Sequence, residues 1–264
     1  MKAFFAALAL ALATSGFAQA PNTKSLGEPK TALYVGNSFF YYNNGMPGMV
    51  SRMLNATADA QSRGQYRTTM ATISGSGLNW HDLESYLRPG GGMASYSFTA
   101  DNKVVFNKFE KPFDVVVMMD CSQCPIHPQL KDAFHEFARK DSQIAVKYGA
   151  KPVLFMSWAY ADQPQMTQQL AEQYTSAGNA NKALVVPAGL AFAKAIARDP
   201  KINLYDADKR HPSLAGSYLG AATILAAVYN KSPVGNPYSA GLDAATAAFL
   251  QQVAADTVKE YLGL

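Results

Sequence analysis

The sequence predicts an α/β protein built on a mainly parallel sheet of about five strands, with helices on both faces. Three observations predict it. Apolar runs at residues 32–35, 114–119 and 152–157 have the length of strands and the continuity expected when both faces are covered. Helix-period stretches separate them, so strands and helices alternate along the chain. Between strand and helix stand Gly, Asn and Ser residues, which supply turns and helix caps.

Residues 1–20 read as a signal peptide. Lys2 is a positive start, residues 3–13 an apolar core, and Ser15-Gly16-Phe17-Ala18-Gln19-Ala20 a small-residue cleavage region. Cleavage after Ala18 is favoured over Ala20, which would leave Pro21 as the new terminus. The apolar core is too short to span a bilayer, and no later stretch has the length of a transmembrane helix. The expectation is an exported protein, periplasmic or extracellular, with no stable membrane insertion after cleavage. Residues 21–264 carry no internal repeat, low-complexity linker or charge run, so one domain is expected. The 23 Lys+Arg against 19 Asp+Glu leave the domain only mildly basic, with no basic cluster interleaved with aromatics; this argues against nucleic acid as a partner. No cofactor or metal is expected.

In chain order, the strand at residues 32–35 breaks at Gly36-Asn37-Ser38, and Asn43-Asn44-Gly45-Met46-Pro47 leads into a helix over 48–54. Residues 66–73 read as a Thr-rich strand, ended by Ser74-Gly75-Ser76-Gly77, with a helix over 78–87. Residues 88–112 are less regular; Gly90-Gly91-Gly92 and the alternating Lys103-Val104-Val105-Phe106 suggest a loop and a hairpin lying over the site. After the strand at 114–119, residues 130–148 are amphipathic, with Ala133, Phe134, Phe137, Ile144 and Tyr148 on one face and Gly149 as the stop. Strands at 152–157, 183–187 and 202–205 then alternate with helices at 163–177 and 190–198, and helices at 212–229 and 242–261 close the chain.

In open α/β sheets chemistry sits at the carboxyl edge of the strands, and Ser38 stands at that edge with its hydroxyl free to point into the crevice. The plainer alternative is a turn and helix cap. Asp208-Lys209-Arg210-His211-Pro212 follows the last expected strand, and Pro212 suits the first position of a helix. A carboxylate three residues before a His can orient one ring nitrogen, leaving the other to take a proton from a hydroxyl. Asp208 is the expected orienting group and Asp206 its rival. At two further strand ends, Gly75 allows close backbone approach to a substrate oxygen, and Gln123 offers an amide to a developing oxyanion.

That order of residues resembles the SGNH (GDSL-like) hydrolases, whose four sequence blocks carry Ser, Gly, Asn and His. Gly36-Asn37-Ser38 is similar to the first block, with Asn37 where most members have Asp. Ser74-Gly75-Ser76 resembles the second. The stretch DVVVMMDCSQ from Asp114 is similar to the third, with Gln123 at the position of the usual Asn, one methylene longer. Asp208-Lys209-Arg210-His211 matches the fourth block's Asp-x-x-His. The nearest likeness is a branch with GNSF openings and Gln in the third block. The resemblance spans nearly the whole mature chain. It implies a flavodoxin-like three-layer α/β/α fold and an acyl-ester hydrolase. Ser38 would be the nucleophile, His211 the general base and acid, and Asp208 the orienting carboxylate. An oxyanion hole would come from the Ser38 and Gly75 N–H groups and the Gln123 amide.

Other residues have two readings each. Asn37 and His81 stand where a substrate contact is expected, although a helix-start His beside Trp80 also reads as structural. Trp158 and Tyr160 follow the strand at 152–157 and suit either a sugar platform or core packing, as do Phe39, Tyr41 and Tyr42. His127 and His135 read as surface residues. Cys121 and Cys124 form a lone C-x-x-C, read as a disulfide or two quiet thiols. The redox reading wants a strand-to-helix junction in a βαβ unit, which the surrounding sequence does not display, and a zinc site lacks ligands. The leading expectation is an exported esterase acting on small-molecule or glycan esters. The alternatives are a lipase or lysophospholipase, and a non-catalytic glycan- or partner-binding module on the same fold.

Overall fold

The structure is a computed structural model that describes residues 19–93, 96–108 and 111–264. Of the expected signal peptide, residues 1–18 lie outside the described residues. The chain runs through β1 (Thr31–Gly36), α1 (Ser38–Tyr41), α2 (Met46–Ala56), β2 (Arg67–Thr72) and α3 (Leu83–Leu87). A hairpin of β3 (Tyr96–Phe98) and β4 (Val104–Phe106) precedes β5 (Val115–Met118), α4 (Lys131–Lys147) and β6 (Lys151–Phe155). Next come α5 (Met166–Asn181), β7 (Leu184–Val186), α6 (Ala188–Arg198), α7 (Leu214–Tyr229) and α8 (Ala244–Leu262).

The expected α/β class is present. The main sheet has the order β2-β1-β5-β6-β7, and every neighbouring pair is parallel. The chain steps outward from β1 to β2, then returns past β1 to β5. That reversal opens a crevice at the carboxyl ends of β1 and β5, where such sheets place their sites. Central β5 is buried along its whole length, as an all-Val/Met strand covered on both faces must be, whereas Thr-rich β2 at the edge is largely open.

Helices α2, α7 and α8 pack together as one layer, α3, α4 and α5 as the other, and α6 bridges them beside β7. Helix α7 carries no charged residue and is buried almost all round, the mark of a central helix. Phe40 is wedged between Tyr34 on β1 and Phe155 on β6, with ring centroids 5.5 and 5.1 Å away. Gly216 near the start of α7 is a position of forced close approach: a Cβ there would stand 2.2 Å from the Leu204 carbonyl oxygen. The helix start is thereby pressed onto the segment that leads to His211.

Three expectations need correction. Residues 202–205 form no sheet strand; Tyr205 makes only an isolated antiparallel bridge to Pro212. Leu204 and Asp206 exchange backbone bonds with Ser213 and His211, so the segment closes on its own loop instead of extending the sheet past β7. Residues 78–87 are not one helix. A 3-10 turn at Leu78–Trp80 breaks at His81, whose ring is pulled inward, and Asp82 caps a fresh start at α3 by accepting from Ser85 N. The hairpin exists but does not lie over the Ser38 edge. Phe106, Asn107 and Lys108 line a cavity of about 890 Å³ together with Thr31 and Arg67, the first residues of β1 and β2, which puts it at the opposite end of the sheet.

Two carboxyls are buried behind the carboxyl edge, Asp120 after β5 and Asp141 on α4. Burial raises both, Asp120 to about 6 and Asp141 to about 7, and Asp120 adds to the rise of Asp141. Oδ2 of Asp141 has no hydrogen-bond partner. In the folded chain both groups keep protons that the unfolded chain releases near pH 4, so their contribution is full at acid pH and is lost as pH rises through 6 to 7. The free energy of unfolding in urea is therefore expected to fall between pH 5 and pH 8, by on the order of 2 kcal/mol from Asp141 alone. Asp141→Asn should flatten that dependence; equal slopes in parent and variant would reject this account.

Candidate active site

The site begins where β1 stops. A Cβ at Gly36 would stand 3.0 Å from the Phe40 ring and 3.3 Å from Met119, so a bare backbone lets the turn close. Asn37 is extended and caps α1, its Oδ1 accepting from Phe39 N at 3.3 Å. Its Nδ2 donates to the carbonyl oxygens of Ser76 at 2.9 Å and Asp120 at 3.1 Å. One side chain thus ties the segments following β1, β2 and β5 together. Ser38 is the first residue of α1, at the lip of the crevice, where the sequence placed it at a turn.

Ser38 Oγ lies 2.8 Å from His211 Nε2, and His211 Nδ1 is hydrogen-bonded to Asp208 Oδ2. Asp208 Oδ1 also accepts from the backbone N–H groups of Arg210 (3.0 Å) and His211 (2.9 Å). Burial pushes this carboxyl upward, but the hydrogen bonds from the His211 ring and the two backbone N–H groups prevail and hold it at about 2. Asp208 is therefore ionised at neutral pH, which keeps the imidazole proton on Nδ1 and turns the Nε2 lone pair toward the Ser38 hydroxyl. Asp206, the rival, spends Oδ1 on Ala207 N and its backbone on the loop.

The His211 loop is held from below. Trp158 Nε1 donates to Arg210 O at 2.9 Å and Ala161 N to Lys209 O at 3.0 Å. The Trp158 ring is stacked between Phe39 and Phe192, with centroids at 4.6 and 4.2 Å. Above it, the imidazole stacks on Tyr42 at 4.2 Å and meets the edge of Phe39 at 5.4 Å. Ser38's helix and the His211 loop thus rest on one aromatic column.

The structure brings Ser38, His211 and Asp208 together. Gly75 sits in an exposed turn at φ +69°, where a Cβ would meet nothing, so the backbone conformation and not crowding calls for glycine. That turn is joined to α1 by Tyr41 Oη and Ser74 Oγ, 2.7 Å apart. Gln123 opens a 3-10 turn after β5, half-buried, and its side-chain amide has no partner among the described residues. The four residues expected at substrate face inward instead. Asn37 has both N–H donors spent, and Trp158 is fully buried. His81 places Nε2 at 3.0 and 3.1 Å from Ser76 Oγ and Gly36 O, and burial lowers its pKa. Tyr160 spends its hydroxyl on Ser122 Oγ at 2.6 Å. Asp120 went unnoticed in the sequence, although an acid closing the apolar run VVVMMD was a legible signal; its Oδ1 accepts from Leu78 N and Cys121 N.

No protein-family model matches the sequence, and neither does any curated protein. Solved structures do share its fold. A DUF4886 family protein from Bacteroides uniformis superposes with TM-score 0.57 at 18% identity, covering 88% of this chain and 95% of that one. A provisionally assigned SGNH hydrolase from Slackia heliotrinireducens gives 0.55 at 23%, covering 76% and 99%. Axe2, an acetylxylan esterase from Geobacillus stearothermophilus, gives 0.52 at 15%, covering 76% and 94%. The chain has the α/β fold that SGNH-type hydrolases use.

The Asn37 clasp yields a sharp expectation. Aspartate at this position lacks the donors that the Ser76 and Asp120 carbonyls need and would place a charge in a buried turn. Asn37→Asp should cost on the order of 2 kcal/mol in urea unfolding at pH 8. An unchanged midpoint would show that the clasp is dispensable.

Proposed function

We propose that this chain is an exported serine hydrolase of the SGNH type that cleaves acyl esters, with short-chain or acetyl groups on glycans as the favoured substrate class. The observation that carries the reading is the 2.8 Å contact of Ser38 Oγ with His211 Nε2, backed by an ionised Asp208 on Nδ1. Ser38 Oγ attacks the acyl carbonyl as its proton passes to Nε2. The resulting imidazolium, held by Asp208, returns that proton to the departing alcohol. A water then enters, gives a proton to His211 and splits the acyl-enzyme. The oxyanion is received by the N–H groups of Ser38 and Gly75 and by the unpartnered Gln123 amide. Support for the acetyl class comes from the acetylxylan esterase among the fold neighbours. Support for export comes from the leader-like residues 1–20 and from a formed Cys121–Cys124 disulfide. Residues 21–264 are taken as one domain.

A second reading, a lipase or lysophospholipase, has one observation in its favour: Ile73 and Trp80, on either side of the Gly75 turn, are exposed apolar side chains. Hydrolysis of p-nitrophenyl acetate, butyrate and octanoate separates the two, with acetate fastest on the first reading and octanoate on the second. Ser38→Ala and His211→Ala should fall to background. Asp208→Asn should lose on the order of 10³–10⁴-fold in turnover, and Gln123→Ala about 10²–10³-fold. Activity surviving Ser38→Ala would remove the nucleophile assignment. A parent inert on every ester and unlabelled by a serine-reactive phosphonate would point to a binding module.

A further inference from the structure

Cys121 and Cys124 are joined in a disulfide, and its surroundings differ from what the sequence displays. The pair follows β5 directly and leads through the 3-10 turn at Cys124–Ile126 to α4 and then to the parallel neighbour β6. It therefore occupies the strand-to-helix junction of a βαβ unit, the context in which a C-x-x-C is read as redox chemistry. The two sulfurs are unequal: Cys121 is partly exposed, whereas Cys124 is 8% exposed. Cys124 N donates to Cys121 Sγ at 3.0 Å, a contact that favours a thiolate on Cys121. A carboxylate oxygen of the buried Asp120 lies within 4.8 Å of both sulfurs. The proposed ester chemistry uses neither sulfur nor this carboxyl.

We propose that Cys121–Cys124 is a thiol–disulfide exchange site, in which an external dithiol attacks Cys121 and Asp120 exchanges the proton of the buried Cys124. A thiolate of the dithiol attacks Cys121 Sγ, the Cys121–Cys124 bond breaks, and its electron pair leaves on Cys124 Sγ, which takes the proton held by Asp120. The second thiolate of the reductant attacks its own sulfur in the mixed disulfide, closes a cyclic disulfide and releases Cys121 as a thiolate beside Cys124 N–H. The dithiol loses two electrons to the chain and two protons to solvent; the chain gains both electrons and, through Asp120 recharged from solvent, one proton on Cys124, while Cys121 remains a thiolate. The groups facing Asp120 are Asp141 from α4 and the Tyr174 hydroxyl from α5, together with the Leu78 and Cys121 N–H donors. None is a cation that would hold Asp120 ionised, and burial places it at about 6, within range of neutral pH.

The test is the rate of reduction of the full folded chain by dithiothreitol between pH 5 and 8, followed by alkylation and mass measurement. Dividing each rate by the thiolate fraction of the reductant isolates the protein's own proton. The normalised rate is expected to fall as pH rises through about 6. Asp120→Asn should make it flat and about tenfold slower at pH 5.5. Since Asp120→Asn removes a buried group that braces the turn after β5, two single-cysteine variants supply an independent arm. Cys121 in Cys124→Ser should react with iodoacetamide at least about tenfold faster than Cys124 in Cys121→Ser. A disulfide that yields to dithiothreitol only when urea unfolds the chain would overturn the proposal. So would a normalised rate in the parent that ignores pH, or equal alkylation of the two thiols. Ester turnover is not the readout, so this outcome stands apart from the fate of the esterase reading.

Discussion

A parallel sheet delivers all its strand ends to one side, and those ends must be held there without edge-to-edge bonds of their own. Here that task falls to the Asn37 amide. Its two donors and one acceptor close the gap between the segments leaving β1, β2 and β5. Ser38 follows it by one residue, so its position is set by the same hydrogen bonds that close the sheet's crevice. His81 repeats the logic one layer deeper, joining the Gly36 carbonyl to Ser76. With no free ring nitrogen facing solvent, it works as a rivet.

His211 is held by different physics. Its loop has no sheet partner, contains Lys209 at a positive φ of 64°, and would wander if left to itself. Trp158 supplies the anchor through one N–H on the Arg210 carbonyl, and the stacked Phe39–Trp158–Phe192 column makes that anchor rigid. Phe39 belongs to the same short helix as Ser38. Ser38 and His211 are therefore referred to one aromatic pillar, which limits their relative motion more than a direct contact between two loops would.

Much of this was legible in the sequence, for reasons that can be assigned. Continuous apolar runs mark strands buried on both faces, so β1, β5 and β6 were readable, and the turn residues and Asp-x-x-His spacing marked Ser38, Asp208 and His211. Residues 202–205 misled because a short apolar run carries no record of its partner, and here the partner is its own loop. Trp158, Tyr160, His81 and Asn37 were open to two readings for another reason. Polar and aromatic residues at strand ends look alike whether they face a substrate or brace the residues that do. What decides is the destination of each polar atom, such as the Trp158 N–H on a carbonyl 52 residues away, and that is a three-dimensional fact.

The Ser38–His211 hydrogen bond spans 173 residues of chain. Ser38 near the beginning and His211 near the end meet only across the sheet that β5, β6 and β7 complete beside β1. Synthesis proceeds from the amino end, so until the later elements exist Ser38 has no imidazole beside it. The Ser38–His211 pair is completed last, when the fold that confines it is nearly whole, and a chain that stalls or is cut short lacks it.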